Sequence, residues 1–189
     1  DEIGDHAIFT ADKDLELASD SVVNAKSTDF GAIQLHGLGS LTLKKVEAND
    51  GSINVIAGGD ATLTDVDALD GDVIVMATGN IIATQVDAAD AGSDDTFVVR
   101  LNSSAGDITI GKITSDTSLT LEATTGSIND MDDDNAVDLT SGTSTIKLTA
   151  QGEIGGNLAT KTTDTLGSIE LAANSSVDVS STQAGAIVL

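Results

Sequence analysis

A 20-residue period constrains this chain more than any other feature. Segments 33–50, 53–70 and 73–90 superimpose at a shift of 20. Ile33, Ile53 and Val73 coincide, as do Leu35, Val55 and Val75. Gly39, Gly59 and Gly79 share a column, followed by Leu41, Ala61 and Ile81 and by Leu43, Leu63 and Ala83. Val46, Val66 and Val86, then Ala48, Ala68 and Ala88, then Asp50, Asp70 and Asp90 complete the unit. Self-similarity at a fixed period of this length is the mark of stacked repeats, each unable to bury its apolar face alone.

Within a unit, apolar and polar residues alternate, which is strand periodicity. The runs are short, such as Ile53-x-Val55-x-Ala57, and Gly, Asn and Asp separate them. These are turn residues. Two or three inward residues per run suit one face of a coil whose next turn lies directly above. The expected fold is therefore all-β, a parallel β-helix or β-solenoid. A left-handed coil would show a six-residue sub-repeat, and none is present, so a right-handed coil of about 20 residues per rung is expected. Rungs stacked about 4.8 Å apart would build a rod roughly 40 Å long.

The period continues less strictly outside the three clean copies. Leu15 to Val23 repeats the spacing of Ile53 to Ala61. Val99 leads to Ile108, Leu119 to Ile128, Ile146 to Ile154 and Ile169 to Val177, and Ile187 starts one more unit. Eight to nine rungs are expected in a single domain over 1–189, with 1–14 as a lead-in and rungs over 15–189. Acidic insertions near 89–95 and 129–135 break the period and are expected to be surface loops.

Composition fits this fold. The chain lacks Pro, as expected where nearly every backbone N–H donates to a neighbouring rung. Aromatics make up 2% of the residues, which suits a narrow aliphatic interior. Absence of Cys excludes disulfides, thiol catalysis and zinc thiolates. The formal charge of −23 repels nucleic acid and anionic lipid. No apolar run approaches a membrane span, so no membrane insertion is expected. No basic-then-apolar leader opens the chain, and a start at Asp1 without Met is expected of a processed or excised piece.

Little in the chain carries catalytic chemistry. His6 and His36 stand outside any nucleophile or metal motif, and Ser and Thr have no supporting base. Arg100, the one Arg, lies near Asp94 and Asp95, a setting in which a lyase groove can be imagined but a surface ion pair is the plainer reading. Asn102-Ser103-Ser104 and Asn174-Ser175-Ser176 match the glycosylation sequon.

The acidic residues say more. Asp50, Asp70 and Asp90 form one column and Glu47, Asp67 and Asp87 another, with Lys45 beside Asp65. Stacked carboxylates about 5 Å apart repel by roughly 1 kcal/mol per pair in water. Turn formation and solubility account for such columns, and cation binding between rungs is the sharper alternative. Asp130, Asp132 and Asp134 have the 1, 3, 5 spacing of a calcium loop, although Asn135 replaces the usual Gly and Ser141 stands where a bidentate Glu belongs. No cofactor is required on this reading, and calcium is the candidate ion.

Units such as 51–60, Gly-Ser-Ile-Asn-Val-Ile-Ala-Gly-Gly-Asp, resemble the repeats of filamentous-haemagglutinin-type exoproteins, very large bacterial surface proteins with right-handed β-helical shafts. The resemblance covers the chain from Leu15 onward and brings no functional residue with it. It implies a non-enzymatic structural module at the cell surface or outside the cell: a shaft, or a filament subunit of a bacterial or archaeal protein. The alternatives are an adhesin module that engages a glycan or receptor, and a β-helix carbohydrate-active enzyme. The acidity also fits a salt-loving source.

The ends point to a partner. The last residues, Ile187, Val188 and Leu189, look like an unfinished strand without a cap, and the Ile3 to Phe9 segment, with Ile8 within it, is a poor capping helix. Ile3, Ile8 and Phe9 at one end and Ile187, Val188 and Leu189 at the other are the candidate self-association residues. They would act by head-to-tail contact between copies or against neighbouring rungs of a longer chain.

Overall fold

A computed structural model describes residues 15–89, 96–131, 136–142, 145–155, 168–173, 175–183 and 186–189. Among them the protein is all-β, with no helix and with two sheets of parallel strands. The first sheet holds Leu15–Leu17, Ile33–Gly37, Ile53–Ala57, Val73–Ala77, Val98–Ser103, Ser118–Ala123, Thr145–Ala150 and Ser176–Ser181, in sequence order from edge to edge. The second is built from the strands that alternate with these: Ser21–Phe30, Leu41–Asp50, Ala61–Leu63 with Val66–Ala68, Ile81–Ala88, Ile108–Ser115, and Ile128–Asp130 with Leu139–Ser141.

Register follows the sequence columns. Ile33 pairs with Ile53 and Ile53 with Val73, while Val46 pairs with Val66 and Val66 with Val86. Side chains alternate in and out along each strand, so the residues of one column stack on the same face. Ile33, Ile53, Leu63, Val66 and Val73 are completely buried. Each contributes roughly 1.5–3 kcal/mol by leaving water. Turns are bonded across units as well: Gly58 N–H donates to the Gly37 carbonyl (2.9 Å) and Leu69 N–H to the Ala48 carbonyl (2.9 Å). A proline would remove such a donor. Gly51 is required by its turn, because its φ is +149° and a Cβ there would lie 2.7 Å from the Gly31 carbonyl.

Both insertions lengthen the period. Val73 pairs with Val99, 26 residues on, and Ile113 with Leu139, also 26 on. Residues 90–95 and 132–135 themselves lie outside the described residues.

Three registers differ from expectation. Leu15 pairs with Leu35, which places it in the column of Val55 instead of Ile53, and Val23 pairs with Leu43. Alternating patterns look the same after a slip of two residues, so the spacing alone could not fix this. Within this pair the register also moves by one residue between Val23 and Asn24 and moves back between Ser27 and Phe30. Toward the C-terminus, Val177 pairs with Ile146, 31 residues on, and belongs to the first sheet. Leu171 bridges Leu139 and Ile187 bridges Ile154. Ile169 to Leu171 therefore does not open a unit, and Ile187 continues the unit begun by Ser176–Ser181 instead of starting a new one.

Candidate functional site

Three carboxylates meet at the base of the second acidic insertion. Asp130 ends the strand Ile128–Asp130 and pairs with Ile110, so it occupies a column otherwise filled by inward aliphatics. Asp138 lies just ahead of Leu139–Ser141, where the chain returns from the insertion. Glu170 comes from the next unit: its N–H donates to Asp138 Oδ2 (2.9 Å), and its carbonyl accepts the Asp138 N–H (2.9 Å). One carboxylate oxygen from each of Asp130, Asp138 and Glu170 lies within 4.8 Å of the others.

The electrostatics of this cluster are unfavourable for three free anions. Asp138 is 3% exposed. Burial pushes its pKa up to about 7, and the neighbouring Glu170 carboxyl and the Asp130 charge add to that rise. Ser168 Oγ donates to Glu170 Oε1 (2.5 Å), whereas Glu170 Oε2 is buried with no hydrogen-bond partner. A buried carboxylate oxygen of this kind is costly unless a proton or a cation reaches it. The set is all hard oxygen, which suits calcium better than softer metals.

Of the expected loop ligands, Asp130 is in the cluster, and Asp132 and Asp134 fall outside the described residues. Asp138 and Glu170 escaped the sequence reading. Asp50, the last residue of the strand Leu41–Asp50, and Asp70 occupy equivalent positions, with their carbonyls accepting Gly31 N–H (2.8 Å) and Gly51 N–H (3.0 Å). Asp90 is outside the described residues, as are Ile3, Ile8 and Phe9. Ile187 and Leu189 are 46% and 47% exposed, and Val188 donates its N–H to the Ile154 carbonyl (2.8 Å).

The second acidic column has its own balance. Glu47, Asp67 and Asp87 are opposite one another in register. Lys26 Nζ lies 3.0 Å from Glu47 Oε2, and Lys45 Nζ bridges Glu47 Oε1 and Asp65 Oδ2 at 3.2 Å each. These lysines, Lys26 first, hold the Glu47 carboxyl below its ordinary range. Burial, followed by the charges of Glu47 and Asp65, raises Asp67, and burial, followed by Asp67, raises Asp87.

His36 is half-buried on the outer face of the first sheet between Glu16 and Ile56. Ser103 of the first sequon is fully buried, with its hydroxyl donating to the Gly79 carbonyl (2.7 Å). Asn174 of the second lies outside the described residues. Comparison with protein-family models, curated proteins and solved structures finds no match to this chain.

Proposed function

We propose that the protein is a right-handed parallel β-helix serving as a non-catalytic shaft of an extracellular or cell-surface protein, lengthened by further rungs stacked on its ends. The observation that carries this reading is strand-on-strand pairing from Leu15–Leu17 to Ser176–Ser181, in which each strand of the first sheet pairs with the one a unit away. Ser176–Ser181 is an edge strand whose Val177 and Val179 pack only partly against the core. Such an edge accepts another parallel strand. A second copy stacked head to tail supplies one, and the contact then propagates as a filament.

On this reading Asp130, Asp138 and Glu170 clamp two successive rungs through a calcium ion. The ion would replace the proton that the cluster otherwise needs and fasten the acidic insertion to the rod.

Electron microscopy across a range of protein concentrations tests the reading. Rods that lengthen into fibres support it, and removal of the last five residues, 185–189, is expected to abolish the fibres. Single short rods at every concentration would refute self-assembly, and globular particles or a helix-rich circular dichroism spectrum would refute the shaft itself.

A further inference from the structure

Cations are scarce here, 8 Lys and Arg against 31 Asp and Glu, so their placement is informative. Lys26 and Lys45 are engaged by Glu47 and Asp65. Arg100 and Lys147 are not engaged in this way. They share one outward column of the first sheet, Arg100 opposite Thr120 and Thr120 opposite Lys147, so two strand spacings, roughly 10 Å, separate them. Both are exposed, and among the described residues neither has a carboxylate within ion-pair distance, even though Asp178 follows Lys147 in the column; Asp94 and Asp95, the expected partners of Arg100, lie outside the described residues. A depression of about 320 Å³ lies between them, lined by Arg100, Thr120, Glu122, Lys147 and Thr149. Asn102 adjoins it, opposite Glu122 in the next column.

The field of a −23 molecule turns away highly charged anions. At physiological salt that field is screened beyond about 8 Å, so the paired cations govern the last approach of a ligand with few charges. Arg100 can grip a carboxylate with two parallel N–H bonds, while Lys147 acts as a point charge. The floor between them carries the Thr120 and Thr149 hydroxyls and the Glu122 carboxylate, which exchange hydrogen bonds with hydroxyl groups; Glu122 repels a carboxylate placed over the floor, so a ligand's carboxylates belong at the two cations and its hydroxyls between them. Among the described residues no aromatic side chain lines it, so recognition here rests on charge and hydrogen bonds.

We propose that this groove binds a short acidic oligosaccharide, with the carboxylates of two uronic-acid units seated on Arg100 and Lys147 and the intervening hydroxyls on Thr120, Glu122 and Thr149. This goes beyond the shaft reading and does not depend on it, since the groove lies on the side of the sheet and not at its ends.

Titration calorimetry at fixed ionic strength, with trigalacturonic acid as the probe, tests the proposal. Saturable binding is expected, weakened about tenfold by either Arg100→Gln or Lys147→Gln and unchanged by Lys26→Gln. Both groove side chains are exposed, so an unchanged circular dichroism spectrum checks that the variants fold. Absence of saturable binding, equal binding of neutral maltotriose, or binding indifferent to both substitutions would overturn the proposal. Tighter binding of tetraglutamate than of the sugar would also overturn it, and would mark the groove as a site for acidic peptide.

Discussion

Asp60 Oδ1 accepts the backbone N–H of Asn80, one unit further along the chain, at 2.7 Å. The bond belongs to a continuous series at one corner of the protein. Ser40 Oγ accepts from Asp60 N–H (3.1 Å), Asn80 Oδ1 from Asp107 (2.9 Å), Asp107 Oδ1 from Ser127 (2.8 Å) and Ser127 Oγ from Glu153 (3.1 Å). Each short polar residue follows a glycine in the same turn: Gly39, Gly59, Gly79, Gly106 and Gly126. The glycines let successive turns approach closely, and the side chain behind each takes up an N–H that the sheets leave unpaired.

Removing one acceptor should therefore loosen two units at once. Asp60→Ala is expected to cost about 1 kcal/mol, lowering the thermal midpoint by about 3 °C. Asp60→Asn keeps an acceptor oxygen in place and is expected to cost less. Equal losses in the two variants, measured by thermal denaturation, would show that the bond contributes little.

Val66 lies between Val46 and Val86 and is completely buried. Val66→Asp puts an unpaired carboxylate into that aliphatic column, at a cost on the order of 4 kcal/mol or more. The variant is expected to unfold at markedly lower denaturant concentration, and a near-native midpoint would contradict the inward orientation of this column.

The columns through Ile33, Ile53 and Val73 were legible in the sequence because three uninterrupted copies fix both the period and the phase. Phase was lost where copies are interrupted. A slip of two residues leaves Leu15-Glu16-Leu17 equally alternating, and Ile169-Glu170-Leu171 alternates like any first-sheet strand. The carboxylate cluster was hidden for the same reason: Asp138 and Glu170 are 32 residues apart and meet only because Leu139 bridges Leu171. A signal was available, since Asp138-Leu139 repeats the polar-apolar step of Lys45-Val46 and Asp65-Val66 once the insertion is set aside. The corner series went unread although its Gly-then-polar pairs are plain, because sequence shows a turn residue but not what its side chain bonds.

Asp67 and Asp87 provide a pH test. Both have folded-state pKa values raised above the ordinary carboxylate value, first by burial. A raised carboxyl favours folding while it is protonated, and that contribution is lost as the pH climbs through the raised value. Stability from this pair is therefore full below about pH 4 and declines above it. Asp67→Asn removes the charge, so it is expected to raise the midpoint at pH 7 by about 2 °C and to change nothing near pH 3.5. An equal effect at both pH values would trace the change to packing and not to charge.

Calcium and protons should compete at Asp138. Its pKa is raised to about 7, so protonation stabilises the cluster in acid and that support fades as the pH rises through neutrality. Without calcium, the midpoint is expected to fall by several degrees between pH 5.5 and pH 8. At pH 8 Asp138 has lost its proton inside this crowded cluster, and a calcium ion bound only by the folded state stabilises it by mass action. The added millimolar calcium should therefore raise the midpoint clearly at pH 8 and little at pH 5.5, where the proton already occupies the site. Monovalent salt also relieves repulsion in so acidic a chain, so the comparison is made against sodium at matched ionic strength. Asp138→Asn keeps the shape and removes one charge; it is expected to flatten the fall with pH and to abolish the calcium increment together. If calcium does no more than sodium at pH 8, or if Asp138→Asn leaves the calcium increment intact, the clamp between Asp130, Asp138 and Glu170 does not exist.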